Sequence, residues 1–297
     1  DSEQNHIKFQ VYKDVPIYNH AFQYSPTKTK LHQLLGILYG TLRAFFYILN
    51  SSKKSKIDYI FLNNENNFYL GIFFLLKLFC RAKFGRDLNE FPLVVLLPNN
   101  FNVLQKKLKL LTNYRWFDII FVISKELENY YKPLTRKNTN FLYLPVTVDF
   151  DRFPIPVKKL KEDFITYCGD LSQSKDGVLT MIKAFANITK SYPDIKLKLI
   201  GTNSNPEVVK ALDDLIQELK IDNHIVKTGY LHPDSIPKEL YQSRLLLLAR
   251  PANIQAKGGF PTKLAEYLAS AVPVVITAVG EIPHYLKNEK NAFLAKR

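Results

Sequence analysis

The sequence predicts an α/β protein of two tandem Rossmann-like domains, each with a parallel sheet, arranged around a cleft. Two observations carry this expectation. Strand-like apolar runs alternate with helix-period segments through the second half of the chain, and 297 residues suffice for two domains that each bury a core. With 46% hydrophobic and 23% charged residues the chain is globular rather than disordered, and 11 Gly with 16 Pro exclude a collagen-like or low-complexity protein.

Taken in order, the first half reads as a helix at about 29–49, a strand at 58–62 and a helix at 67–83. A strand at 92–97, a helix at 102–113, a strand at 118–123, a helix at 124–132 and a strand at 140–145 follow. The stretch from Asp149 to Pro156, followed by Val-Lys-Lys-Leu-Lys-Glu-Asp, is rich in proline and charge and suits a connector, which places the domains at 1–155 and 156–297. In the second half, Phe164–Cys168 is a short apolar run closed by Gly169, and Val178, Met181, Ile182, Phe185 and Ile188 fall at helical spacing within 177–192. Strand 195–200 ends at Gly201, and Asn205-Pro206 supplies an N-cap and a first-turn proline for a helix to about Leu219. Strands at 225–228, 244–249 and 273–277 alternate with helices at 235–243 and 262–271, and residues 291–297 read as one more strand.

The formal charge of +14 points to an anionic partner: nucleic acid, an anionic membrane or a phosphate-bearing small molecule. Residues 1–150 carry +9 and 28 of the 39 aromatic residues, whereas residues 151–297 carry +5. The basic residues are dispersed and no nucleic-acid motif is present, so nucleic acid is not expected as a partner. Cys80 and Cys168 lie far apart, outside any zinc pattern, which suits a reducing, cytoplasmic setting. His6, His20, His32, His224, His232 and His284 show no metal-ligand spacing, and no metal is expected. No signal peptide opens the chain, and Phe68–Cys80 falls well short of the roughly 20 residues needed to span a bilayer. Leu31–Asn50 is apolar with Lys28, Lys30, Lys53, Lys54 and Lys56 at its borders. It reads either as an interfacial helix, which would make the protein peripheral at the inner face of the plasma membrane, or as a core helix.

Ligands of open parallel sheets bind beyond the carboxyl ends of the strands. Two loops there stand out. In the loop from Gly169 to Gly177, Lys175 lies one turn from a helix start, positioned either to reach an anion or to remain a solvated lysine beside a capping Asp176. The loop from Ala249 to Thr262 contains Gly258 and Gly259, which permit close backbone approach, and leads to Glu266 one turn into a helix. That carboxylate can accept two hydrogen bonds from a vicinal diol such as a ribose, or can complement the helix dipole. Asn89 and Glu90 are weaker candidates, with a solvated loop as the alternative.

These residues also carry a resemblance. Gly169-x-Leu-x-x-x-Lys175-x-Gly177, Thr228-Gly229-Tyr230 and the run from Gly259 through Phe260, Pro261, Thr262, Lys263 and Glu266 to Val275 resemble the GT-B glycosyltransferases of family 4. Ile119–Leu127, Leu144–Asp149 and Arg152-Phe153 look like the end of that family's acceptor domain. The resemblance implies a metal-independent retaining transferase. Its nucleotide-sugar co-substrate would be held by Gly169, Asp170, Lys175, Gly258–Lys263 and Glu266, with no other cofactor. It also implies a glycan or lipid-linked acceptor in polysaccharide or glycoconjugate synthesis, with Lys175 on the diphosphate.

Two positions depart from the family pattern. The residue eight before Glu266 is Gly258 where the family commonly has a glutamate, and Asp170 stands where it often has arginine. Arg250 is the candidate to restore that charge, as a second catalytic cation beside Lys175. The family's first strand and glycine-rich loop are not evident. The chain begins without Met and ends in the strand-like run 291–297, so truncation at both ends is expected, and a non-catalytic nucleotide-sugar-binding module is the alternative function.

Overall fold

The structure is a computed structural model that describes residues 9–12, 15–18, 30–63, 67–92, 114–154 and 163–295. The expected helix at 102–113 and most of the expected strand at 92–97 lie outside the described residues, as do 155–162 of the expected connector. The described residues fall into two compact units. The first holds those up to Asp87 together with 114–121 and 131–142, and the second holds 88–92, 122–130, 143–154 and 163–295.

In the first unit, β1 (Phe9–Tyr12) and β2 (Val15–Tyr18) form an antiparallel hairpin. A second, parallel-strand sheet has the order β3 (Tyr59–Phe61), β4 (Lys83–Leu88), β5 (Ile119–Val122) and β6 (Asn140–Tyr143). Helix α1 (Lys30–Lys54) packs on α2 (Asn67–Cys80). Strand β4 corrects the expected helix to residue 83, because Arg81 turns with φ 53° and ends that helix. Its sequence, Lys-Phe-Gly-Arg-Asp-Leu, hides a strand since three of its six residues are charged. Tertiary contacts make the charges tolerable: the buried Arg86 guanidinium lies 5.9 Å from the Tyr114 ring and 6.0 Å from that of Phe117.

The second unit is built on a six-stranded sheet. Its order is β12 (Phe293–Ala295), β11 (Val274–Thr277), β10 (Leu245–Leu248), β7 (Phe164–Cys168), β8 (Lys196–Ile200) and β9 (Ile225–Gly229), parallel throughout. This is the doubly wound order, with its switch point between β7 and β10. Helix α3 (Lys125–Tyr131) also belongs to this unit except for its last residue. Between β7 and β8 lie α4 (Gln173–Asp176) and α5 (Val178–Thr189), whose Val178, Met181, Ile182 and Phe185 are buried. The sequence reads a polar loop up to Gly177 and a helix from there; the loop in fact ends in the short α4, and Gly177 is a left-handed joint between it and α5 (φ 72°, ψ 36°). A Cβ at Gly177 would lie 1.9 Å from the Ala249 carbonyl oxygen, so glycine lets the loops after β7 and β10 touch. Helix α6 (Pro206–Glu218) starts as expected, with Asn205 Oδ1 accepting the Glu207 amide at 2.9 Å. Helices α7 (Ile236–Tyr241), α8 (Ile254–Gly258), α9 (Thr262–Ala269) and α10 (Ile282–Tyr285) complete it.

Candidate functional site

Both loops singled out in the sequence leave the sheet at its switch point, where the crossovers diverge and open a crevice. They wall a cavity of about 550 Å³ lined by Gly169, Asp170, Lys175, Arg250 and Gly259–Lys263, joined by Asn89 and Glu90 from the segment after β4. A second cavity of about 420 Å³ shares Gly169 and Asp170 with the first and is lined by Arg152, Cys168, Tyr230 and Glu266. The two cavities adjoin at Gly169 and Asp170.

A buried polar cluster ties the loops beneath the first cavity. Asp176 is 2% exposed and pairs with the Lys263 ammonium, while its Oδ2 accepts the Tyr167 hydroxyl at 2.7 Å. Lys263 Nζ lies 3.1 Å from that hydroxyl. Burial pulls the Lys263 pKa down against the opposing pull of Asp176, and burial pushes the Tyr167 phenol up. Asp176 thus ends α4 as an ion-pair partner of α9 and not as the expected capping residue. Lys263 sits in the cavity floor, and Lys175 is exposed at its wall.

Arg250 follows β10 and is 8% exposed on the cavity wall. Its Nε and Nη1 are buried without a hydrogen-bond partner among the described residues. Burial lowers its pKa, and the carboxylates of Asp176 and Glu90 oppose that shift. A buried guanidinium left with donors to spare is costly unless a ligand completes it. The start of α9 lies alongside: Pro261 stands at its N-cap and gives no side-chain cap, and Pro261, Thr262 and Lys263 line the cavity.

In the second cavity, Glu266 Oε1 accepts Arg152 Nη1 at 2.8 Å, and Arg152 Nη2 donates to the Pro233 carbonyl at 2.9 Å. Tyr230 is 74% exposed at its edge. Burial lifts the Cys168 thiol to about 11, with Lys263 pulling down and Glu266 pushing up. Sequence reading placed Glu266 correctly one turn into its helix but not its pairing with Arg152, since 114 positions separate the two.

Gly258 departs from its expected role. It is buried, its carbonyl accepts the Ser124 hydroxyl at 2.5 Å, and a Cβ there would lie 2.1 Å from the Phe91 ring. Its missing side chain makes room for Phe91; Gly259, Phe260, Pro261 and Thr262 reach the cavity instead.

Residues 149–297 match the family model described as Glycosyl transferases group 1. The chain belongs to this family. It is 27% identical over 188 residues to N-acetyl-alpha-D-glucosaminyl L-malate synthase of Bacillus anthracis, covering 60% of this chain and 46% of that protein. It is 26% identical over 123 residues to poly(glycerol-phosphate) alpha-glucosyltransferase of Bacillus subtilis, covering 40% and 17%. The chain thus spans less than half the length of either relative. Among solved structures, this member of the group 1 family is similar to Anabaena HepE in complex with UDP and glucose (TM-score 0.66, 15% identity, 92% of this chain and 70% of that one). It is also similar to a sucrose-phosphate synthase of Thermosynechococcus elongatus (TM-score 0.68, 16% identity, 98% and 72%). The fold is GT-B.

Proposed function

We propose that this glycosyltransferase moves a sugar from a nucleotide-sugar donor to a glycan or lipid-linked acceptor, as a retaining, metal-independent family 4 enzyme. One observation carries the reading: the buried Arg250 side chain, whose Nε and Nη1 have no hydrogen-bond partner among the described residues, lines a cavity that also holds Lys175 and the uncapped start of α9. Such a constellation is built for a phosphate group. The nucleoside would occupy the adjoining cavity, its ribose hydroxyls on Glu266 and its base against Tyr230, with the diphosphate crossing at Gly169. Relatives named for glucosyl and glucosaminyl transfer, and a similar structure holding UDP, support that assignment.

As the bond from the anomeric carbon to the diphosphate breaks, negative charge grows on the departing nucleotide. Lys175 and Arg250 stabilise that charge, Arg250 from a position already buried in the cavity wall. A thermal-shift screen of UDP-, GDP- and ADP-sugars tests the donor site, because a ligand of the native state raises the melting temperature. One donor should shift the wild type, and Glu266→Ala should abolish the shift; no shift from any donor refutes the site. Arg250→Ala should then slow transfer about 100-fold or more. Donor binding with neither transfer nor donor hydrolysis would favour the non-catalytic module instead.

A peripheral membrane placement at the cytoplasmic face is part of the same proposal. Helix α1 supports it: Leu34, Leu35, Ile37, Tyr39 and Phe46 are each 48% or more exposed, and Lys53 and Lys54 close the helix. Its Leu34–Lys54 span has a mean hydropathy of 1.2 and is, among the described residues, the one helix long and apolar enough to cross a membrane. Co-sedimentation with anionic vesicles at low salt checks the placement, and an absence of binding removes it.

A further inference from the structure

A glutamate that is to receive a ribose must have its carboxylate ordered first, because a long, flexible side chain loses much of a hydrogen bond's benefit to the entropy of being fixed. The Glu266 side chain is 29% exposed, so burial is not what fixes it. A charged partner does so instead.

That partner is Arg152, and its backbone is itself anchored. The Phe153 amide donates to the Phe150 carbonyl at 2.9 Å, closing the short 3-10 turn Phe150–Arg152. Phe153 is 4% exposed in the core of the second unit, and its carbonyl accepts the Tyr241 hydroxyl at the end of α7 at 2.8 Å. From this turn the guanidinium reaches out and is engaged at both tips. Nη1 donates to Glu266 Oε1 at 2.8 Å and Nη2 to the Pro233 carbonyl at 2.9 Å, and all three residues line the second cavity. A planar fork held at both tips keeps one orientation, which a lysine ammonium would not. Glu266 Oε2 accepts no hydrogen bond among the described residues.

We infer that Arg152 is a positioning residue for the ribose of the donor, an inference that rests on the reading of Glu266 as the ribose ligand. By holding Oε1 it orients the carboxylate and leaves Oε2 to accept from a ribose hydroxyl. The consequence is selectivity. A fixed acceptor penalises a nucleotide that lacks the hydroxyl, because the carboxylate oxygen then loses water and gains no partner, whereas an acceptor free to swing back to solvent penalises it little.

Calorimetric titration with UDP, GDP and ADP, and with the 2′-deoxy and 3′-deoxy forms of whichever binds, tests this on the wild type, Arg152→Met, Glu266→Gln and the double variant. The Arg152 side chain is 33% exposed and Phe153 carries the packing of the turn, so Arg152→Met should leave the melting temperature of the unliganded protein unchanged. The wild type should bind at least one deoxy form about tenfold more weakly than the ribonucleotide, and Arg152→Met should reduce that ratio to about twofold or less. Glu266→Gln should also reduce it, and adding Arg152→Met should then reduce it no further, because one residue acts through the other. A wild-type ratio in Arg152→Met, with ribose and deoxyribose forms weakened alike, overturns the inference by showing that the arginine acts on another part of the nucleotide or on the fold. Tighter binding of the ribonucleotide by Arg152→Met also overturns it, by showing that the arginine competes with the ribose for Glu266. A wild type that binds both deoxy forms as well as the ribonucleotide overturns the role of Glu266 and the inference together, and leaves the donor site standing. A wild type that binds none of UDP, GDP and ADP overturns the donor-site reading itself.

Discussion

Helices α1 and α5 are both rich in apolar residues, yet they meet opposite environments. In the second unit, α5 places Val178, Met181, Ile182 and Phe185 on one stripe and buries all four to 1% exposure or less. In the first unit, α1 is apolar around much of its circumference and leaves Leu34 at 62%, Tyr39 at 59% and Phe46 at 56% exposed. An amphipathic stripe specifies a single packing partner, whereas an all-round apolar helix has more apolar surface than one neighbour covers. The units differ in the same way around their charges: the second sinks Asp176 and Lys263 into its floor, while in the first Asp118 holds Lys77 and Arg136 nearer the surface.

Each side of this comparison can be broken. The largest effect is expected at the buried pair. Lys263→Met leaves Asp176 as an uncompensated buried carboxylate and should cost about 3–5 kcal/mol in thermal or denaturant unfolding, and Lys263→Met combined with Asp176→Leu should recover most of it. A loss below about 1 kcal/mol for the single variant would show that the pair is solvated. Next, Ile182→Ala should destabilise the second unit by about 2–5 kcal/mol, whereas Leu34→Ala should stay within about 0.5 kcal/mol. Equal losses would mean that α1 is covered in solution. Leu34→Glu with Phe46→Glu sharpens the same point from the other side: both should leave the melting temperature unchanged and reduce retention on anionic vesicles.

The smallest expected effect is acid sensitivity at Asp118. Burial raises the pKa of this carboxyl, but hydrogen bonds from Lys77, the Phe84 amide and Arg136 outweigh that and hold it below the ordinary carboxylate value. A depressed carboxylate stabilises the fold above the unfolded-state pKa near 3.9 and loses that contribution as pH falls through the lower folded value. Asp118→Asn should therefore flatten the acid limb of the stability curve of the first unit, with little change in its slope above pH 5.

Much of the second unit is legible without coordinates. Its strands are short apolar runs closed by glycine, and its helices show one clean stripe, so local pattern and tertiary role agree. The first unit reads less well for the opposite reason. Strand β4 carries Lys83, Arg86 and Asp87, and the Tyr114 and Phe117 rings that the buried arginine meets come from a distant segment of the chain. Within the site, Lys175 and Arg250 carry a sequence signal because they follow strands at their carboxyl ends, where ligands of such sheets collect. No local signal links Asp176 to Lys263 or Glu266 to Arg152, because 87 and 114 positions separate the partners.

The sequence by itself therefore determined the fold class, the two loops that wall the cavity and the family, since all three follow from patterns within a few tens of residues. Tertiary structure alone decided which cations have donors to spare, which carboxylates are already engaged and what occupies the space beside Gly258. Those are properties of side chains brought together from distant segments. Their energies depend on burial and mutual distance, quantities that no residue possesses before the chain has folded.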